Sequence, residues 1–219
     1  MFRSRLIEIS EQCLTKETTG HILTDMNKRE EKKERLLQLG LAVMQERGYN
    51  GTGVKDIVEA AQVPKGSFYT YFESKESFAV EAIECVAQQT FDEAFAVLGQ
   101  KSTPPLDRLA EFFRAGAEDA CDNEFRIGCF MGNMCQEMAD SSEVIRLTVK
   151  TALGKITGLI ADVLEDATAS GDITSKQDTA VTAQFLFNAW QGALLRMKAE
   201  KSDTSIEAFL AMMPKVLNI

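Results

Sequence analysis

The sequence predicts an all-α fold, and three observations carry that prediction. Apolar residues recur three and four positions apart through almost every segment of the 219 residues, the spacing that lines one side of a helix. No segment alternates apolar and polar residues as a half-buried strand would. Breakers stand between the periodic segments: Gly48, the pair Val63-Pro64 and the run KSTPPLD.

Taken in order, the first helix spans Asn27 to Arg47, with Leu36, Leu39, Gly40 and Val43 as its apolar stripe behind a charged first half. Glutamate and lysine at helical spacing support that half, and Gly48 ends it. VKDIVEAAQ places Val54, Ile57, Val58 and Ala61 on one stripe of a second helix of about nine residues, with Gly53 as its N-cap. Its end falls at Val63-Pro64, because a residue before proline is steered away from helical backbone. A third, short helix begins at Lys65 or Gly66 and runs to about Phe72. Ser74 caps a long fourth helix that continues to Leu98. Further amphipathic stretches lie near 105–121, 124–139, 142–168 and 176–200, and a last one runs from Ser205 to Leu217.

Composition narrows the function classes. Hydrophobic residues make up 45% of the chain and charged ones 26%, ordinary for a soluble globular protein. No window approaches the roughly 18 uninterrupted apolar residues of a membrane span, and MFRSRLIEISEQCL lacks the apolar core of a secretory signal. The expected location is the cytoplasm, with no membrane partner. Five cysteines without a CxxC pair read as reduced thiols rather than a disulfide framework or a metal site. With His21 the only histidine, and no acid/base constellation elsewhere, neither an enzyme nor a cofactor is expected.

The net charge of −9 hides an asymmetry. Met26 to Lys75 carries nine Lys/Arg against seven Asp/Glu, whereas residues 76–219 carry twelve against 22. A slightly basic module therefore precedes an acidic body. The expected organisation is a disordered extension over 1–25, a module over 26–75 and a helical body over 76–219.

The stretch VPKGSFYTYFESKESF decides what the basic module touches. On a helical wheel of 100° per residue, Phe68 and Phe72 share one face and belong in a core. Gly66, Ser67 and Thr70 occupy the opposite face, flanked by Tyr69 and Tyr71. A thin polar front with tyrosine hydroxyls beside it and lysines at both ends suits a major groove, the tyrosines and lysines on phosphates and Lys65, Ser67 and Thr70 toward base edges. The same wheel also fits a surface helix whose tyrosines half-bury. Two helices and this third one across the turn Gln62-Val63-Pro64 make a helix-turn-helix.

GYNGTGVKDIVEAAQVPKGSFYTYFESKESF resembles the DNA-binding module of the TetR family of bacterial repressors, through Thr52, Ile57, Ala61, Val63, Gly66, Tyr69, Tyr71, Phe72 and Lys75. Gly53 stands where the family often has a second hydroxyl cap, and Phe78 replaces its common leucine. The resemblance makes 26–75 a DNA-binding module and 76–219 an effector-binding and dimerisation domain. It implies a homodimer on a palindromic operator of double-stranded DNA, released when a small-molecule effector, apolar or electrophilic, reaches the C-terminal domain. The DNA-contact set is then Thr52, Lys55, Lys65, Gly66, Ser67, Tyr69, Thr70, Tyr71 and Lys75. A helical protein–protein adaptor without sequence-specific DNA binding is the alternative.

In the acidic body, DTAVTAQFLFNAWQGALLRMKAE presents Ala183, Ala189, Gly192 and Ala193, small residues that permit close approach, and with SIEAFLAMMPKVL it reads as a dimer interface or as packing within one subunit. Phe112, Phe113, Cys129, Phe130, Met131, Met134, Phe187 and Trp190 are candidate linings of an effector pocket, methionine being adaptable to ligand shape. The same residues also suit an ordinary core. Cys129 follows Arg126 and Gly128 at a helix beginning, where dipole and cation lower a thiol pKa. IGCFMGNMCQEMAD is similar to a TetR subgroup with a Gly-Cys here that includes sensors of electrophiles and oxidants. That similarity makes Cys129 the redox-sensing candidate, modified reversibly, with Lys198 as its neighbour; the alternative is a small buried hydrophobe. MNKREE at Met26 reads as a natural start, and the alternative for the preceding residues is an arm using Arg3 and Arg5 in the minor groove.

Overall fold

A computed structural model describes residues 21–174 and 177–219. The described residues are helical throughout, in nine helices without a strand: α1 (His21–Arg47), α2 (Val54–Ala60), α3 (Lys65–Tyr71), α4 (Lys75–Leu98), α5 (Pro105–Asp122), α6 (Phe130–Met138), α7 (Glu143–Ser170), α8 (Thr179–Glu200) and α9 (Thr204–Leu217). None of these helices is long and apolar enough to cross a membrane. Arg3, Arg5 and Cys13 lie outside the described residues.

Two cores organise the packing. The first joins α1, α2, α3, the first half of α4, α6 and the first half of α7 around Leu36, Ile57, Phe68, Phe72, Phe78, Ile83, Met134 and Ile145. The second joins the last turns of α4, α5, the rest of α7, α8 and α9 around Leu109, Phe113, Ile160, Trp190 and Phe209. Core packing therefore continues across the expected boundary at 75/76: Phe78, Ala79, Ala82 and Ile83 bury against the same residues as the helices before them. In the second core, Phe113, Trp190 and Phe209 pack with ring centroids 4.8–5.3 Å apart. Each fully buried ring contributes roughly 2–3 kcal/mol of apolar burial.

Local chemistry fixes the helix ends. Ser74 accepts from the Ser77 N–H to start α4, Ser142 accepts from Ile145 N–H to start α7, and Asp178 accepts from Ala180 and Val181 to start α8. Gly171, at φ +84°, ends α7 in the left-handed conformation that glycine adopts without strain. At the far end of α4, Arg108 of α5 is buried and donates to the Leu98 carbonyl at 2.6 Å and to Asp166 of α7 at 2.7 Å. That guanidinium ties three helices together and satisfies a carbonyl the α4 terminus would otherwise leave open.

Three expectations change. α1 begins at His21, six residues before the predicted start and inside the stretch expected to be disordered, because no proline interrupts 21–47. Its buried stripe is Leu36, Leu37, Gly40, Leu41 and Met44, while Leu39 and Val43 are only partly covered. α6 begins at Phe130 rather than near 124, since Glu124 and Phe125 turn left-handed at φ 52° and 57° and break the helical run.

Gly40 sets how closely α1 approaches its neighbours. A β-carbon there would stand 2.6 Å from both Ile57 Cγ2 and Phe78 Cζ. Gly40→Val is expected to lower stability by about 1–3 kcal/mol through overpacking, several degrees in a thermal melt. Gly154→Ala on the open face of α7, where an added carbon meets nothing within 4 Å, is expected instead to raise stability by about 0.5–1 kcal/mol.

Candidate nucleic-acid interface and thiol site

The short helix α3 is presented by a tight turn. Gly53 caps α2 with its N–H donated to the Asp56 carboxylate at 2.7 Å. Gln62 then turns left-handed at φ 57°, and the Val63 N–H donates to the Val58 carbonyl at 3.0 Å. Pro64 enters α3 with its φ already helical and no N–H to satisfy.

Phe68 and Phe72 point inward, with ring centroids 5.8 and 5.0 Å from Phe78. The opposite face is open. Lys65, Gly66 and Thr70 are exposed, Ser67 is partly covered, and Tyr69 is 55% exposed. A β-carbon at Gly66 would meet nothing within 4 Å. Nothing inside the chain therefore requires glycine at that position. Lys55 stands exposed on α2, beside Glu59 at 3.6 Å. Tyr71 is half-buried against the first core.

Two members of the predicted contact set face the other way. Thr52 is fully buried, and its hydroxyl donates to the Gly48 carbonyl at 2.7 Å. Its side chain is an internal clasp of the α1–α2 turn, not a phosphate donor. Lys75 Nζ donates to the Tyr49 and Thr52 carbonyls, each at 3.0 Å, and lies 4.0 Å from the centroid of the Tyr49 ring. Burial lowers its pKa, and the nearby Glu137 carboxylate works against that shift. Two of the three protons of the ammonium are thus held on backbone carbonyls within the module. The motif marks Thr52 and Lys75 correctly as special positions; the side chains act inside the module.

Sequence reasoning missed two residues here. Arg29, read as part of the charged half of α1, donates to the Thr70 carbonyl at 3.4 Å and so reaches the end of α3. Glu137 of α6 accepts from the Asn50 N–H at 2.8 Å. Charge type was the only sequence signal for either.

The predicted effector lining divides between the two cores. Cys129, Phe130, Met131 and Met134 pack with the first, and Phe112, Phe113, Phe187 and Trp190 with the second. An apolar groove of about 590 Å³ lies elsewhere, between α8 and α9, bordered by Phe185, Ala189, Gly192, Phe209 and Met212. Of the small residues expected at a dimer face, Ala189 and Gly192 are exposed beside it, whereas Ala183 and Ala193 are buried within the chain.

Cys129 caps α6: its Sγ accepts from the Gly132 N–H at 3.4 Å. Burial pushes the thiol pKa up, opposed by hydrogen bonds from the Gly132 backbone, the Gln191 side chain and the Met131 backbone. The expected lowering is thus reversed, since α8 covers the sulfur and Arg126 is exposed and paired with Glu124 at 3.0 Å. Lys198 lies against the same loop, and a β-carbon on Gly128 would stand 2.9 Å from its Cδ. Among the described residues, no group of His, Cys, Asp and Glu could hold a metal ion.

Comparison with known proteins places this geometry. Residues 36–82 match the family described as bacterial regulatory proteins, tetR family, and residues 105–213 match the tetracyclin repressor-like C-terminal domain. The chain is 33% identical over 192 residues to the transcriptional repressor DhaR of Mycobacterium sp. (strain GP1), covering 85% of this chain and 95% of that one. It is 34% identical over 177 residues to the transcriptional regulator AcuR of Cereibacter sphaeroides, covering 80% of each. The crystal structure of Escherichia coli NemR in its reduced form superimposes with a TM-score of 0.75 at 27% identity, covering 85% of this chain and 97% of that one. These relatives are regulators of transcription rather than enzymes, and by both domains and by near full-length similarity the chain belongs to the tetR family of bacterial regulatory proteins.

Proposed function

We propose that the chain is a cytoplasmic, dimeric transcriptional repressor that lays α3 into the major groove of a palindromic operator and leaves it when the C-terminal domain is altered. The observation that carries this reading is the division of α3 by face: Phe68 and Phe72 are buried, while Gly66 is bare and Tyr69 is 55% exposed. Lys65, Ser67 and Thr70 are then the base-edge candidates, and Lys55, Tyr69 and Tyr71 the backbone contacts. Two copies would present α3 to successive major grooves about 34 Å apart or somewhat more. DhaR and NemR, both named transcriptional repressors, support repression as the direction of control.

The second copy docks on the α8–α9 groove. Phe185 and Met212 border it and are 55% and 50% exposed, more apolar surface than a soluble monomer usually leaves bare at one place. Within this assembly Cys129 is the sensing thiol and Lys198 its neighbour. Support comes from the shared loop that packs Cys129 on Gln191 and Gly128 on Lys198, and from a relative whose structure is described by its redox state. A thiol held protonated by burial reacts slowly at rest, so a modification that does occur must open the contact with α8.

Four variants test these assignments. With an operator selected from random duplexes, Tyr69→Ala is expected to weaken binding by about tenfold or more with an unchanged melting temperature. Lys75→Met is expected to lower the melting temperature itself, because it removes both hydrogen bonds and leaves the Thr52 carbonyl unpaired, the Tyr49 carbonyl still accepting from the Thr52 N–H at 3.2 Å, at a cost of about 1–3 kcal/mol; equal melting of the two variants would reject the distinction. Phe185→Asp is expected to yield a monomer in light scattering and to lose operator binding with it, and a dimer would place the interface elsewhere. Cys129→Ser is expected to bind the operator as the parent does and to resist release by hydrogen peroxide. If it is released as the parent is, the thiol is structural.

A further inference from the structure

The α1–α2 turn is held from two sides by opposite charges. From α4, the Lys75 ammonium donates to the Tyr49 and Thr52 carbonyls. From α6, Glu137 Oε2 accepts from the Asn50 N–H at 2.8 Å, across 87 residues of sequence. The other oxygen of that carboxylate covers Gly48, where a β-carbon would stand 2.3 Å from Oε1. Gly48 is also at φ +75°, so glycine there serves both the turn and the approach of the carboxylate. Within the turn the Thr52 hydroxyl closes the ring onto the Gly48 carbonyl at 2.7 Å.

We infer that Glu137 is a positioning residue for DNA binding: its carboxylate holds the Gly48–Thr52 turn against α6 and so fixes the attitude of α2 and α3 from within the C-terminal domain. The inference rests on the DNA-binding reading of α3 and adds a route by which the C-terminal domain governs it. α2 starts directly after this turn, and α3 hangs from α2 through four residues. α6 is only nine residues long, roughly 13 Å, capped at its start by Cys129 and carrying Glu137 in its last turn. Met131, Met134 and Met138 anchor its apolar side in the first core. A helix this short moves as a unit. An effector or modification that shifts its beginning withdraws the carboxylate from Asn50, leaving the turn held by Lys75 alone.

The test uses the full chain and a duplex selected by the parent protein. Glu137→Ala is expected to weaken operator binding about tenfold, the size of one hydrogen bond to a charged group, and to speed amide exchange at Asn50 by a similar factor. Glu137→Gln, which keeps a neutral acceptor in the same shape, is expected to recover much of both, to within about threefold of the parent. Operator affinity and Asn50 exchange in Glu137→Ala within twofold of the parent would overturn the assignment, as would tighter binding. Should Glu137→Ala melt below the assay temperature, Glu137→Leu, which fills similar space without an acceptor, decides in its place: about tenfold weaker binding with faster Asn50 exchange supports the role, and parental values reject it. A parent that enriches no duplex would sink the DNA-binding reading and this one with it, whereas a parent that binds and a Glu137→Ala that binds equally would sink only the role of Glu137.

Discussion

The DNA-binding module depends on one ammonium group. Lys75 occupies the first position of α4, where the positive end of the helix dipole makes a cation unfavourable. It is kept there by the Tyr49 and Thr52 carbonyls, by the face of the Tyr49 ring at 4.0 Å, and by the field of Glu137. A lysine can meet two carbonyls on a curved turn because its ammonium is compact and its three donors rotate with the stem; a planar guanidinium would present its donors in a fixed fork. The tie joins the turn that launches α2 to the helix that leaves the module. Through it, the attitude of α3 becomes a property of α4.

α4 in turn belongs to both cores. Its first turns bury Phe78, Ala79, Ala82 and Ile83 with the helix-turn-helix, and its last turns bury Ala94 and Leu98 with α5 and α8. Over 24 residues it spans roughly 36 Å. Arg108 closes the far end by donating to Leu98 and Asp166, so the helix is fixed at both termini by a buried or half-buried cation. Close-packed interiors shift between discrete arrangements rather than deforming smoothly. In the function we propose, a change in the C-terminal domain would reach α3 through this helix with both ends tied, and a ligand that prefers one arrangement by a few kcal/mol would suffice to move it.

The helices were legible in the sequence because each carries an apolar stripe at helical spacing, and the caps at Ser74 and Gly53 were legible because their chemistry is local. The start of α1 was not, since its charged first half has no stripe to read. The start of α6 was hidden by Glu124 and Phe125, which turn left-handed without being glycine or asparagine. At the site, the face carrying Gly66, Ser67, Tyr69 and Thr70 followed from 100° per residue alone. The inward roles of Thr52 and Lys75 did not, because the Lys75 partners lie 26 and 23 residues away in sequence. Cys129 shows the same limit. Its place at a helix start was readable, yet the cover from α8 that raises its pKa is a tertiary fact. Composition likewise could not decide whether eight apolar side chains enclose a cavity or fill two cores.

Charge explains why a second copy matters for DNA. The module has a formal excess of only two positive charges between Met26 and Lys75, and part of its basic complement is already spoken for: Lys33 pairs with Glu81, Arg47 with Asp56, and Lys75 is inside. Lys28, Arg29, Lys32, Arg35, Lys55 and Lys65 remain exposed. With so few cations for phosphates, one copy gains little from counterion release, and the acidic body, twelve Lys/Arg against 22 Asp/Glu over 76–219, opposes loose contact along the duplex. Joining two such modules makes the second binding event intramolecular and multiplies affinity without any new contact, provided their spacing matches the groove repeat. In the dimer we propose, a weakly cationic reader would depend steeply on the spacing of its two copies, and that spacing is the quantity the tied helix α4 would control.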